Sequence, residues 1–228
     1  MVRRRRARGY PLAQLVGLEE GYARLLDLYS QSVKPSSEVH VTAGYQLYES
    51  IVEALRPAVA QGVTSVLIAT PDEKQYSSFI EHLRRRHGWL LRSSSASRTA
   101  FAHILKPASS PEQVRGLAKS EEFKKKLEAL LEEDQLHVIS LLEERLNTRE
   151  GVKTLLFSME DVEDAVYRAS KHVESILVTE RFRDANRRRI DRLLQIAINK
   201  KMKTKIIRKG TAADARISQF GGLLCILE

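Results

Sequence analysis

Four carboxylates crowd together at Glu160, Asp161, Glu163 and Asp164, a density that would suit metal-assisted cleavage of a phosphodiester. They follow Ser158 and open an apolar-periodic segment. Acids there favour the positive end of a helix by roughly 0.3 to 1 kcal/mol each, so helix capping is the simpler reading. The serines of Ser93-Ser94-Ser95-Ala96-Ser97 have no base nearby in sequence and read as a polar loop. Cys225 is the single cysteine, which rules out an internal disulfide and a multi-cysteine zinc site. His40, His82, His87, His103, His137 and His172 form no H-x-H or H-x-x-x-H pair. No G-x-x-x-x-G-K-[ST] phosphate loop occurs, so any GTP or ATP would come from a partner. No cofactor, no metal and no enzymatic activity are therefore expected.

Basic residues carry the sharper signal. The 228 residues include 38 Lys or Arg against 29 Asp or Glu, a formal charge of +9. Between Glu180 and Lys209 twelve bases face three acids, and residues 1–10 add five arginines with no acid. The rest of the chain is net acidic, so the positive charge is concentrated in two places, as expected of a protein that meets polyphosphate. Arg187, Arg188, Arg189 and Arg192 share a helix with the core-facing Ile190 and Leu193, which turns most of them outward. Lys200, Lys201, Lys203 and Lys205 extend the field into the next strand. Arginine forks suit phosphate pairs, while lysines act as flexible point charges. Arg84, Arg85 and Arg86 close another helix, where cations also stabilise locally. Arg3, Arg4, Arg5, Arg6 and Arg8 form a short basic arm of the kind that threads into ribosomal RNA.

These residues need a scaffold. Composition, with 43% hydrophobic and 6% aromatic residues, allows one large core or two small ones. No run approaches the roughly 18 apolar residues that cross a bilayer, and no apolar stretch follows the opening arginines as in a secretory signal. A soluble, cytoplasmic protein without a membrane partner is expected. Residues 12–41 fit either an amphipathic helix or a meander of short strands around a Pro35-Ser36-Ser37 turn. From Gln46, Leu47, Tyr48, Ile51, Val52, Leu55 and Val59 recur at helical spacing, with Pro57 inside and Gly62 at the end. Ser65 to Thr70 is an apolar run of the kind buried in a parallel sheet. Asp72 with Gln75, and Ser110 with Pro111 and Gln113, mark two further helix starts.

A long helix is expected over about Ser120 to Leu146, with a solvated bend at Glu132-Glu133-Asp134. The last 80 residues alternate: strand Thr154 to Phe157, a helix capped by Ser158, strand Ile176 to Thr179, the basic helix, strand Lys203 to Arg208, and a final strand Gly222 to Leu227. That rhythm implies a sheet between helical layers. The domain boundary is placed near residue 148.

The order of these pieces resembles the Pelota family, the ribosome-rescue relatives of class 1 peptide chain release factors. Tyr48-Glu49-Ser50-Ile51-Val52 and Val66 to Pro71 are similar to its central domain. Phe157 to Val162 with Ala165, Ile176 to Thr179, and Phe220 to Leu227 are similar to its third domain. The resemblance implies a two-domain α/β fold: a mixed-sheet central domain over 11–147, including the long connecting helix, and a C-terminal three-layer α/β/α sandwich over 148–228, after the arm at 1–10. It also decides the amino-terminal ambiguity in favour of strands at Leu15 to Leu18, Tyr22 to Tyr29 and Val39 to Val41.

Release factors carry a Gly-Gly-Gln loop between that third strand and the helix. Here the connection is Thr42-Ala43-Gly44-Tyr45-Gln46, and Gly221-Gly222 runs into Leu223, so peptidyl-tRNA hydrolysis is not expected. Met1 to Tyr10 stands where the family has its first domain, and decoding-site reading is not expected either. The strand at Ile176 to Thr179 leads directly into the basic helix, without the extra mini-domain of eukaryotic release factors, which favours Pelota. The function so implied is that of a non-catalytic translation factor in rescue or recycling of stalled ribosomes. It would bind rRNA near the A site, with a translational GTPase and the recycling ABC-type ATPase as partners. A ribosome hibernation or assembly factor and a divergent peptidyl-tRNA hydrolase are the rivals.

Overall fold

The computed structural model describes residues 9–41, 44–92, 98–168 and 171–228. The arm arginines Arg3, Arg4, Arg5, Arg6 and Arg8, the connection residues 42 and 43, the serine loop 93–97 and Ala169 lie outside the described residues. The chain forms two compact units. Residues up to Ala58, Val63–Arg92 and Thr99–Leu131 make the first; Glu132–Glu228, with short pieces at 59–62 and Arg98, make the second.

The first unit is built on a five-stranded sheet. Strands β1 (Pro11–Glu19), β2 (Tyr22–Tyr29) and β3 (Ser32–His40) form an antiparallel meander, and β1 also pairs in parallel with β4 (Ser65–Ala69), which pairs in parallel with β5 (Ala100–Ile104). The order is β3-β2-β1-β4-β5. The expected turn at Pro35-Ser36-Ser37 is instead part of β3. β3 is an edge strand, where a proline's missing N–H leaves no ladder bond unmade, and a register shift between Leu25 and Leu26 lies opposite Pro35. β4 is buried along its whole length, as its apolar run requires.

Alternation along the strands sorts the two faces. Leu15, Leu67 and Ile104 pack with Val114 and Leu117 of α3 (Pro111–Lys119) and with Phe123 and Leu130 of α4 (Glu121–Leu146). Phe101 points the other way. It meets Phe79 of α2 (Glu73–Arg86) at 6.2 Å between ring centroids, and Phe79 in turn meets Tyr48 of α1 (Tyr45–Ala60) at 5.5 Å. Hence α1 and α2 cover the second face.

The two helix starts behave differently. Ser110 and Gln113 complete a reciprocal capping box at α3. Asp72 accepts from Lys74 N at 2.9 Å, but Gln75 does not return to the Asp72 backbone. Its Oε1 accepts from Thr70 Oγ1 at 2.9 Å, and Thr70 Oγ1 accepts from Asp72 N at 3.2 Å. The expected box is thus replaced by a threonine relay.

The second unit centres on a four-stranded sheet of order β6-β9-β7-β8, from β6 (Leu155–Leu156), β7 (Val173–Thr179), β8 (Lys203–Ile207) and β9 (Leu223–Leu227). β7 and β8 are parallel, while β9 runs antiparallel to both β6 and β7. Ile176, Val178, Leu223 and Cys225 pack against α6 (Met159–Arg168) and α8 (Arg187–Asn199). Leu177, Leu224 and Ile226 pack against Val138 and Leu142 of α4 and Ile217 of α9 (Ala212–Ser218). These are three layers, α/β/α.

The long helix does not bend at Glu132 to Asp134. α4 is continuous there, and Asp134 is buried, 2.7 Å from Lys205 Nζ through both carboxylate oxygens. A short α5 (Arg149–Lys153), capped by Thr148, follows α4, and a six-residue α7 (Glu180–Ala185) separates β7 from α8. Gly221 and Gly222 precede β9 rather than lying in it. Gly222 has φ +88°, and a Cβ there would stand 2.9 Å from both Thr179 Oγ1 and Phe182 Cβ. The pair is a turn that only glycine fits.

Candidate nucleic-acid interface

The helix α8 buries Ile190, Leu193, Leu194 and Ala197 and so turns its other side to water. Arg187, Arg188, Arg189 and Arg192 are all exposed on that side. Their surroundings differ. Arg189 forks onto Glu163 at 2.7 Å through Nε and Nη2 and reaches Glu160 at 3.4 Å. This hydrogen bond is the main reason the Glu163 carboxyl lies below its ordinary range and the Arg189 guanidinium is held still more firmly charged. Half of the acidic cluster on α6 is thereby occupied, while Asp161 caps with Ser158 and Asp164 pairs with Arg168 at 3.0 Å. Arg187 stands 3.8 Å from Asp191, which also takes Arg183 at 2.8 Å. Arg188 and Arg192 make no ion pair among the described residues.

The lysines that follow are divided in the same way. Lys200 Nζ donates to Val166 O at 2.7 Å and Tyr167 O at 3.0 Å, closing the carboxyl end of α6 with a cation. Lys205 is the partner of Asp134. Lys203 is half-buried. Lys201 is exposed and has φ +62°, an unusual conformation for a side-chain-bearing residue. Its N–H donates to Ile198 O and that of Met202 to Ala197 O, both at 2.9 Å. This is a Schellman end, with lysine where glycine usually stands. On α8 and the turn after it, Arg188, Arg192 and Lys201 present charge with no ion-pair partner among the described residues.

Arg84, Arg85 and Arg86 are exposed in the last turn of α2. Arg85 is paired with Glu81, and the Arg86 guanidinium lies 5.7 Å from the Tyr45 ring centroid. Next to them is a cluster the sequence did not announce. His82 Nε2 and His87 Nε2 each stand 3.1 Å from the Glu49 carboxylate. Burial is the leading influence on His82, and it lowers the imidazole pKa. His82 and His87 are five residues apart, one on a helix face and one in its cap, and Glu49 comes from another helix. Neither spacing is a local motif, so only the packing of α1 on α2 reveals the group.

The architecture defines a two-sheet α/β protein with the fold of the Pelota proteins. No protein-family model matches the sequence, and no curated protein matches it. Solved structures do. Dom34 of S. cerevisiae, described as a translation termination-like factor involved in RNA quality control pathways and interacting with Hbs1, is 15% identical with a TM-score of 0.50. The match covers 95% of this chain and 62% of Dom34. Archaeal Pelota, in a model of its ribosome-bound form with ABCE1, is 13% identical with a TM-score of 0.51, over 95% of this chain and 61% of Pelota. The chain spans about three fifths of the length of these proteins.

Proposed function

We propose that the chain is a non-catalytic translation factor of Pelota type that binds the ribosome through the phosphates of its RNA and acts in rescue or recycling of stalled ribosomes. The observation that carries this reading is the shared fold over 95% of the chain with Dom34 and with Pelota in its ribosome-bound form. The exposed Arg188, Arg192 and Lys201 on the second unit and, on the first, Arg84 and its neighbours each supply cations suited to phosphate. Contacts of this kind position a protein on RNA without reading its sequence. The partners proposed are the translational GTPase and the recycling ABC-type ATPase that the resemblance implies, in keeping with the naming of Hbs1 with Dom34 and of ABCE1 with Pelota. The two domains, with limits at 147 and 148, and a cytoplasmic location belong to the same proposal.

The test is dissociation of stalled ribosomes by the full chain with the recycling ATPase and ATP. Splitting of stalled complexes above the rate with ATPase alone is expected. Accumulation on idle ribosomes without splitting would replace rescue by dormancy, and release of labelled peptide that is lost in Gln46→Ala would replace it by hydrolysis.

A further inference from the structure

Glu49, His82 and His87 form a constellation that the reading above does not use. We propose that these three residues bind one divalent transition-metal ion, zinc first among them, independently of any contact with RNA. Their ligand atoms all lie within 4.8 Å of one another. Zinc bonds to nitrogen and oxygen are about 2.0–2.2 Å, so the ligand atoms of a zinc tetrahedron stand roughly 3.3–3.6 Å apart. The 3.1 Å separations between each Nε2 and the Glu49 carboxylate are close to that edge, and the two imidazoles, within 4.8 Å of each other, draw together on binding.

The donor set points the same way. Two imidazoles with one carboxylate suit zinc and its neighbours in the first transition row, whereas calcium and magnesium take oxygen. His82 adds an independent sign. Its side chain is only 8% exposed, and its Nε2 faces Glu49 Oε1 at 3.1 Å, an ion-pair distance at an angle poor for a hydrogen bond. A cation bound between the ring nitrogen and the carboxylate would accept a lone pair from each, which the poor hydrogen-bond angle leaves underused.

The surroundings hold the ligands in place. The Tyr45 side chain hydrogen-bonds to Glu49, and the Tyr45 and Tyr48 rings pack on His82 with centroids at 5.2 and 5.6 Å. His87 is fixed as the cap of α2, its N–H donating to Leu83 O at 2.8 Å. Contacts of this type orient metal ligands. Arg86, held over Tyr45, is the facing charge that opposes the ion. Glu49 is 28% exposed, which leaves water or a phosphate oxygen a route to the fourth position.

The test is zinc titration of the metal-stripped full chain against a chromogenic chelator, with cobalt substitution read by its visible absorption. One ion per chain is expected, with tetrahedral cobalt bands. Because His82→Ala empties a buried position, the principal variant is Glu49→Gln, which keeps size and is checked for folding by circular dichroism. It should bind zinc about tenfold more weakly or worse, and Tyr45→Phe should weaken binding by a smaller factor, with the fold intact in both. Failure of the wild-type chain to take up zinc, or equal uptake by wild type and Glu49→Gln, overturns the proposal and leaves a histidine-carboxylate hydrogen-bond cluster.

Discussion

Asp134 and Lys205 hold opposite charges where both side chains are mostly shielded from water, at 7% and 16% exposure. Asp134→Ala removes the carboxylate that Lys205 Nζ contacts through both oxygens and should lower unfolding stability by about 3 kcal/mol, read from urea denaturation. Replacing the pair together by apolar residues should cost much less. Cys225 gives a second residue-scale prediction. Burial pushes its thiol up to about 12, so it should stay unreactive toward a thiol reagent near neutral pH until the protein unfolds. The cysteine was legible from sequence as an apolar strand residue. Asp134 was not: the run Glu132-Glu133-Asp134 looks solvated, and its buried role depends on a lysine 71 residues later. Glu49 with His82 and His87 was hidden for the same reason, since periodicity places residues on an element but says nothing of which element lies opposite.

The caps and turns set what each element contributes. Ser110→Ala should destabilise the fold by about 1 kcal/mol, because both halves of its capping box are made. Lys201→Gly separates structure from function. Glycine relieves the left-handed strain at the end of α8 and should leave stability unchanged or raise it by up to about 1 kcal/mol. RNA binding should nevertheless weaken, as one exposed cation is lost. A purely structural lysine would show no such loss. Helices with a strong apolar period were readable at this scale, as α1 and α8 show. β5 and α9 were not anticipated, one a five-residue strand and the other seven helical residues, too short for periodicity to register. Pro35 misled because a proline is a turn signal unless the strand lies at a sheet edge, and edge position is a property of the finished sheet.

At the scale of the molecule, the alternation of apolar strands and amphipathic helices was enough to expect the α/β/α layering of the second unit. The meander of the first unit was ambiguous in the residues themselves and was settled only by resemblance. Charge segregation was plain in the sequence, but which cations remain available was not. Arg189, Lys200 and Lys205 are engaged by Glu163, the end of α6 and Asp134, while Arg188, Arg192 and Lys201 have no ion-pair partner among the described residues. The most direct measurement is therefore the salt dependence of binding of the full chain to ribosomes, compared with Arg188→Ala/Arg192→Ala, between roughly 50 and 200 mM salt. Wild type should bind tightly at low salt and lose affinity steeply, and the double variant should bind more weakly with a log–log slope shallower by about 2. Binding that is absent at low salt, or equally strong and equally salt-dependent in both proteins, would contradict it.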